Sequence, residues 1–92
     1  MNPTTAVKEA RNFFTQVFKD ENIENVELEE IVFDETEHLW RITFGFFRLW
    51  TPPQNPLLPN VNGPQRKRQF KVVMLDDDGN PKGITIRNEQ IN

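Results

Sequence analysis

Apolar residues recur at intervals of three and four along the first part of the chain. Ala6, Val7, Ala10, Phe13, Phe14, Val17 and Phe18 form one broad stripe, and Lys8, Glu9, Arg11, Gln16 and Lys19 fall on the other side. That period predicts an amphipathic helix whose stripe faces the core. Asn2-Pro3-Thr4-Thr5 supplies the start, because proline is tolerated in a first turn and Asn or Thr can accept from free N–H groups. The pattern stops at Asp20-Glu21-Asn22, where the helix should end.

The period then changes to two. Val26 and Leu28 alternate with acids, and Ile31 and Phe33 resume the alternation one residue out of phase. A bulge at Glu29-Glu30 is needed to keep all four on one face. Asp34-Glu35-Thr36-Glu37 reads as a connection. A second strand is predicted from 38 to about 50, with Trp40, Ile42, Phe44 and Phe46 on one face and Arg41 and Thr43 on the other. Its far end, Phe46-Phe47-Arg48-Leu49-Trp50, is apolar on both sides. Pro52, Pro53, Pro56, Pro59 and Pro64, with Asn62-Gly63, argue against regular structure over 52–64. A third strand is expected over about 68–76, with Phe70, Val72 and Met74 alternating against Lys71, Val73 and Leu75. Asp77-Asp78-Gly79-Asn80-Pro81 is a turn signal, and a short fourth strand follows at 83–87.

These elements define an α+β fold in a single domain over 1–92: an N-terminal helix packed on one face of a three- to four-stranded antiparallel meander sheet. Phe14, Phe18, Phe44 and Val72 are the expected core residues. One helix covers one face only, so the second face is left half apolar.

Composition narrows the chemistry. Cys is absent and His occurs once, which removes disulfides, thiolate nucleophiles and multi-histidine metal centres. Ser is absent as well. No apolar run approaches the roughly 18 residues of a membrane span, and the N-terminus has neither a basic head nor an apolar stretch. A cytoplasmic protein with no membrane association is therefore expected. Residues 1–37 carry a net −7 and residues 38–92 a net +4. Only Arg66, Lys67 and Arg68 form a basic cluster, which is narrower than a nucleic-acid reader needs. Mutual neutralisation of the two halves on folding explains the asymmetry, and no nucleic-acid partner is expected.

Candidate catalytic and metal groups read as structure. His38 beside Glu37 suggests a surface histidine near a turn rather than a proton relay. Glu27, Glu29, Glu30, Asp34, Glu35 and Glu37 suggest a solvated strand face and its connection rather than paired acid and base. Asp76-Asp77-Asp78-Gly79 places glycine too early for a calcium loop, which needs acids at positions one, three and five and Gly at six. We expect no metal, no cofactor and no enzyme activity. Pro53, Pro56 and Pro59 share one edge of a polyproline II segment, but no basic residue stands at motif distance.

Val26-Glu27-Leu28-Glu29-Glu30, Trp40-Arg41-Ile42-Thr43-Phe44 and Phe70-Lys71-Val72-Val73-Met74-Leu75-Asp76, with Gly79 shortly after, give the chain a resemblance to the PepSY-like and cystatin-like α+β families. It covers most of residues 5–87. The resemblance implies a non-catalytic binding or inhibitory module. Pro59-Asn60-Val61-Asn62-Gly63 is also similar to the Gln-x-Val-x-Gly loop with which cystatins enter a cysteine-peptidase cleft, with Pro59 standing for Gln.

The reading that gathers these features is a small protein-binding or regulatory module. Its expected contact surface is Phe47, Leu49, Trp50, Leu57 and Leu58, facing a protein partner or a second copy of the chain. A peptidase inhibitor using the Pro-rich loop, or a small enzyme with Glu30 and Asp34 in a cavity, are the competing readings.

Overall fold

The Oδ1 atom of Asn2 accepts the Thr5 amide at 2.8 Å and Pro3 fills the first helical position, so the start of helix α1 (Pro3–Val17) is capped as its sequence dictates. In this computed structural model, residues 1–50 and 65–87 are described, except for the side chains of Trp50 and Gln65. Four strands follow α1: β1 (Ile23–Asp34), β2 (Leu39–Trp50), β3 (Gln65–Asp76) and β4 (Pro81–Ile86). They pair antiparallel in the order β1-β2-β3-β4. This is the expected α+β fold, with the helix on one face of a four-stranded meander. Among the described residues, no helix is long and apolar enough to cross a membrane.

Ala6, Ala10 and Phe14 are the fully buried residues of α1. The two alanines let the helix approach the sheet, and the Phe14 ring lies 5.4 Å from Phe44, 5.5 Å from Phe46 and 4.6 Å from Phe18. The buried stripe is narrower than the apolar stripe of the sequence. Phe13 and Phe18 pack at its flanks, whereas Val17 is exposed. Arg11, expected on the solvent side, instead donates to the Val26 carbonyl at 3.3 Å and lies over the Phe44 ring.

Register decides which face of β3 is buried. Residues opposite one another on antiparallel neighbours share a face, and the pairs here are Trp40 with Leu75, Ile42 with Val73 and Phe44 with Lys71. Val73 and Leu75 therefore lie beneath α1, fully buried with Ile42 and Phe44. Val72, expected in the core, stands on the opposite face and is only half-buried. Both alternating sets of β3 are apolar, so hydrophobicity along that strand could not choose between them. Ile31 and Phe33 of β1 and Ile84 of β4 complete the core margin.

β1 shifts register between Leu28 and Glu30, where the bulge was expected, and a second time between Glu24 and Glu27. Asn25 takes the second bulge at φ 55, a left-handed conformation that Asn tolerates better than most residues. Even with the bulges, Leu28 remains exposed at the sheet edge.

Lengths leave one end of the sheet uncovered by α1. A helix of 15 residues spans about 22 Å, whereas strands of 12 residues span about 40 Å. α1 begins beside the β3–β4 turn, where Met1 and Glu9 lie next to Gly79. It ends with Phe18 6.3 Å from Phe46. β2 and β3 continue together to the pair Trp50–Gln65. The end of β2 is thus matched by β3 over its full length. β4 and the helix are what stop short.

Candidate protein-contact face

The sheet face away from α1 is built by alternation. It carries Arg41, Thr43, Gly45, Phe47 and Leu49 of β2, and Met74, Val72, Phe70, Arg68 and Arg66 of β3. Acids of β1 line its other side: Glu30 opposes Thr43, Glu27 opposes Gly45 and Glu24 opposes Phe47. Cross-strand ion pairs neutralise the acidic and basic halves of the chain here. Arg66 reaches Glu24 at 3.3 Å, and Arg68 holds both Glu29 and Glu27.

Arg68 organises the end of this face beyond the helix. Its guanidinium lies 5.1 Å from the Phe47 ring centre and 5.3 Å from that of Phe70. The Arg87 guanidinium also lies over the Phe70 ring, at 5.5 Å. Gly45 makes this possible. A side chain there would meet the Arg68 guanidinium and the Glu29 carboxylate. Glycine inside a strand commonly marks such a close approach. The planar, weakly hydrated guanidinium suits stacking on rings.

The predicted contact residues separate into two groups. Phe47 and Leu49 share the open face: Phe47 is half-buried beside Arg68, and Leu49 is 44% exposed. The Trp50 side chain, Leu57 and Leu58 lie outside the described residues. So do Pro53, Pro56, and the Pro59–Gly63 stretch compared with the cystatin loop. On the helix side of the same strand end, Phe46 is buried under α1 and Arg48 pairs with Glu21 at 2.6 Å. Sequence reasoning missed Arg68, Phe70 and Gly45. The available signal was the glycine in the middle of an otherwise apolar strand.

Asp34, one of the carboxylates weighed for catalysis, has a structural duty. The Asp34 Oδ1 accepts the Glu37 and Thr36 amides at 3.0 Å each, and its Oδ2 pairs with Arg41 at 3.3 Å. The Glu37 amide is the largest of the influences that hold the Asp34 carboxyl below its ordinary pKa, with Arg41 adding to it and desolvation opposing. Asp76 does the same work in the β3–β4 turn. Its Oδ1 accepts the Asn80 and Asp78 amides at 2.9 Å each, and the Asn80 amide is the largest cause of its lowered pKa. Gly79 sits at φ 88 in that turn and donates to the Asp76 carbonyl. Glu30 is exposed. His38 is exposed at φ 55 in the β1–β2 turn, with its ring edge-on to Phe33.

Described residues line a cavity of about 240 Å³ between the end of α1 and β1, formed by Phe14, Phe18, Ile23 and Val26 with Thr15, Lys19 and Glu21. Another, of about 360 Å³, lies where β4 ends against β3, and its charged lining is Arg48, Arg68, Lys71 and Arg87. Among the described residues, no three His, Asp or Glu side chains gather in a way that could hold a metal ion.

Comparison with known proteins finds no matching family model, no matching curated protein and no matching solved structure.

Proposed function

We propose that the chain is a non-enzymatic protein-binding module whose contact surface is the end of the open face, centred on Phe47 and Leu49 with Arg68 and Phe70 beside them. The observation that carries this reading is the sheet face that α1 does not cover. Toward the end of β2 on that face, Leu49 stands exposed and Phe47 is half-buried beside a guanidinium. Phe and Arg are enriched at protein interfaces and Arg at their energetic centres. Trp50, Leu57 and Leu58 belong to the same proposal as its flank.

A second copy of the chain is the favoured partner. Acids of β1 and arginines of β3 occupy opposite sides of the face. A two-fold axis parallel to the strands sets each copy's acidic strand over the other's arginines, the self-complementary arrangement of an isologous dimer. NMR dilution of the full chain tests it. Concentration-dependent shifts confined to Phe47, Leu49, Arg68 and Phe70 support the reading, and shifts centred elsewhere contradict it.

A further inference from the structure

We propose that the outer edge of β3, where β4 stops, binds an extended acidic peptide as an added strand. This goes beyond the open-face contact: it uses the backbone edge of β3, and shares with that contact the side chains of Arg68 and Phe70. β4 ends at Ile86 opposite Lys71, while β3 runs on to Gln65. Next to the last ladder pair, the Arg87 amide donates to the Phe70 carbonyl at 3.2 Å. Alternation along an antiparallel strand then turns the amides and carbonyls of Arg68 and Arg66 toward the same outer side. No strand among the described residues pairs with them there. Such an edge is a template for strand addition.

The side chains beside the edge select the guest. The cavity of about 360 Å³ at the end of β4 continues this edge and is lined by Arg48, Arg68, Phe70, Lys71 and Arg87. Arg48 and Arg68 already hold Glu21 and Glu29. Lys71 and Arg87 face no carboxylate among the described residues: their charged ends lie over the rings of Phe18 and Phe70, at 5.8 Å and 5.5 Å. Two cations without a counter-charge among the described residues thus sit where an incoming strand would begin. Carboxylates at alternate positions of that strand meet Arg87 and Arg68 on one side of the sheet or Lys71 on the other. A single-stranded nucleic acid could satisfy the cations but has no alternating N–H and C=O groups to match the β3 edge, so a polypeptide is favoured.

The test uses the full chain and a short blocked peptide of alternating Glu and Val, read by amide hydrogen exchange and fluorescence anisotropy. The Arg66 and Arg68 amides should exchange freely in the unbound chain and become protected on peptide addition. The corresponding Lys-Val peptide, and a Glu-Val peptide N-methylated at every second residue, should not bind. Lys71→Glu with Arg87→Glu should weaken binding by about tenfold or more, and Lys71→Gln with Arg87→Gln by less. A dispersed amide spectrum checks that each variant is folded. Protection of both amides before peptide is added would mean that the chain fills its own edge, and would overturn the proposal. So would tighter binding of oligothymidylate than of the acidic peptide, or unchanged affinity in the folded Glu variant. The readout lies at the edge amides, so it is separable from failure of the open-face contact.

Discussion

Arg68 and Glu29 meet in the space left by the missing side chain of Gly45, where a Cβ atom would lie 2.6 Å from the guanidinium and 2.7 Å from the carboxylate oxygen. The pair ties β1 to β3 across β2, although these two strands are not neighbours in the sheet.

Gly45→Ala is expected to disrupt this pair without unfolding the protein, because the displaced atoms are the free ends of flexible side chains. A double-mutant cycle between Glu29 and Arg68 should give a coupling of about 0.2–1 kcal/mol in the parent and near zero in Gly45→Ala. Total stability should change by less than about 1 kcal/mol, since replacing a strand glycine recovers backbone entropy. A coupling that survives the alanine would place the pair elsewhere.

Core substitutions should sort by register. Phe14→Ala and Phe44→Ala are expected to cost about 3–5 kcal/mol each, a large share of the roughly 5–14 kcal/mol expected for a domain of this size. Val73→Ala should cost clearly more than Val72→Ala, because Val73 is fully buried under α1 and Val72 is not. Urea midpoints measure both. A larger loss at 72 than at 73 would mean that β3 is paired one residue out of register.

Acid should loosen the two turns first. Asp34 and Asp76 have pKa values below the ordinary Asp value in the folded chain. The unfolded state therefore takes up protons first as pH falls, and stability drops with it. The contribution is fully present above the ordinary carboxylate pKa of about 4 and is lost as pH falls through the lower, folded values. Asp34→Asn and Asp76→Asn should each flatten the dependence of urea midpoint on pH between about 5 and 2. An unchanged slope in both would remove these carboxylates from the account.

Much of this architecture is written locally. The helical stripe, the bulge at Glu29 and the Asp-Gly turn each follow from spacing or from one residue's backbone preference. The buried face of β3 does not, because Phe70, Val72 and Met74 compete with Val73 and Leu75, and only pairing with β2 decides. The length of β3 is hidden for a related reason. Gln65-Arg66-Lys67-Arg68-Gln69 has no apolar alternation, and β2 alongside it, together with carboxylates from β1, holds it as strand. Of the proposed contact face, Phe47 and Leu49 were singled out from the sequence. Arg68 and Phe70 were not, since their place beside those residues depends on that same register.

Sedimentation equilibrium of the full chain over a wide concentration range, with and without Phe47→Ser and Leu49→Ser together, tests the contact face most directly. Both positions are partly exposed, so the double variant should fold, which its circular dichroism can check. The parent should rise in mass with concentration above the 10.9 kDa monomer, and the variant should remain at it. A parent that stays monomeric throughout, or a folded variant that associates as the parent does, would contradict self-association through this face.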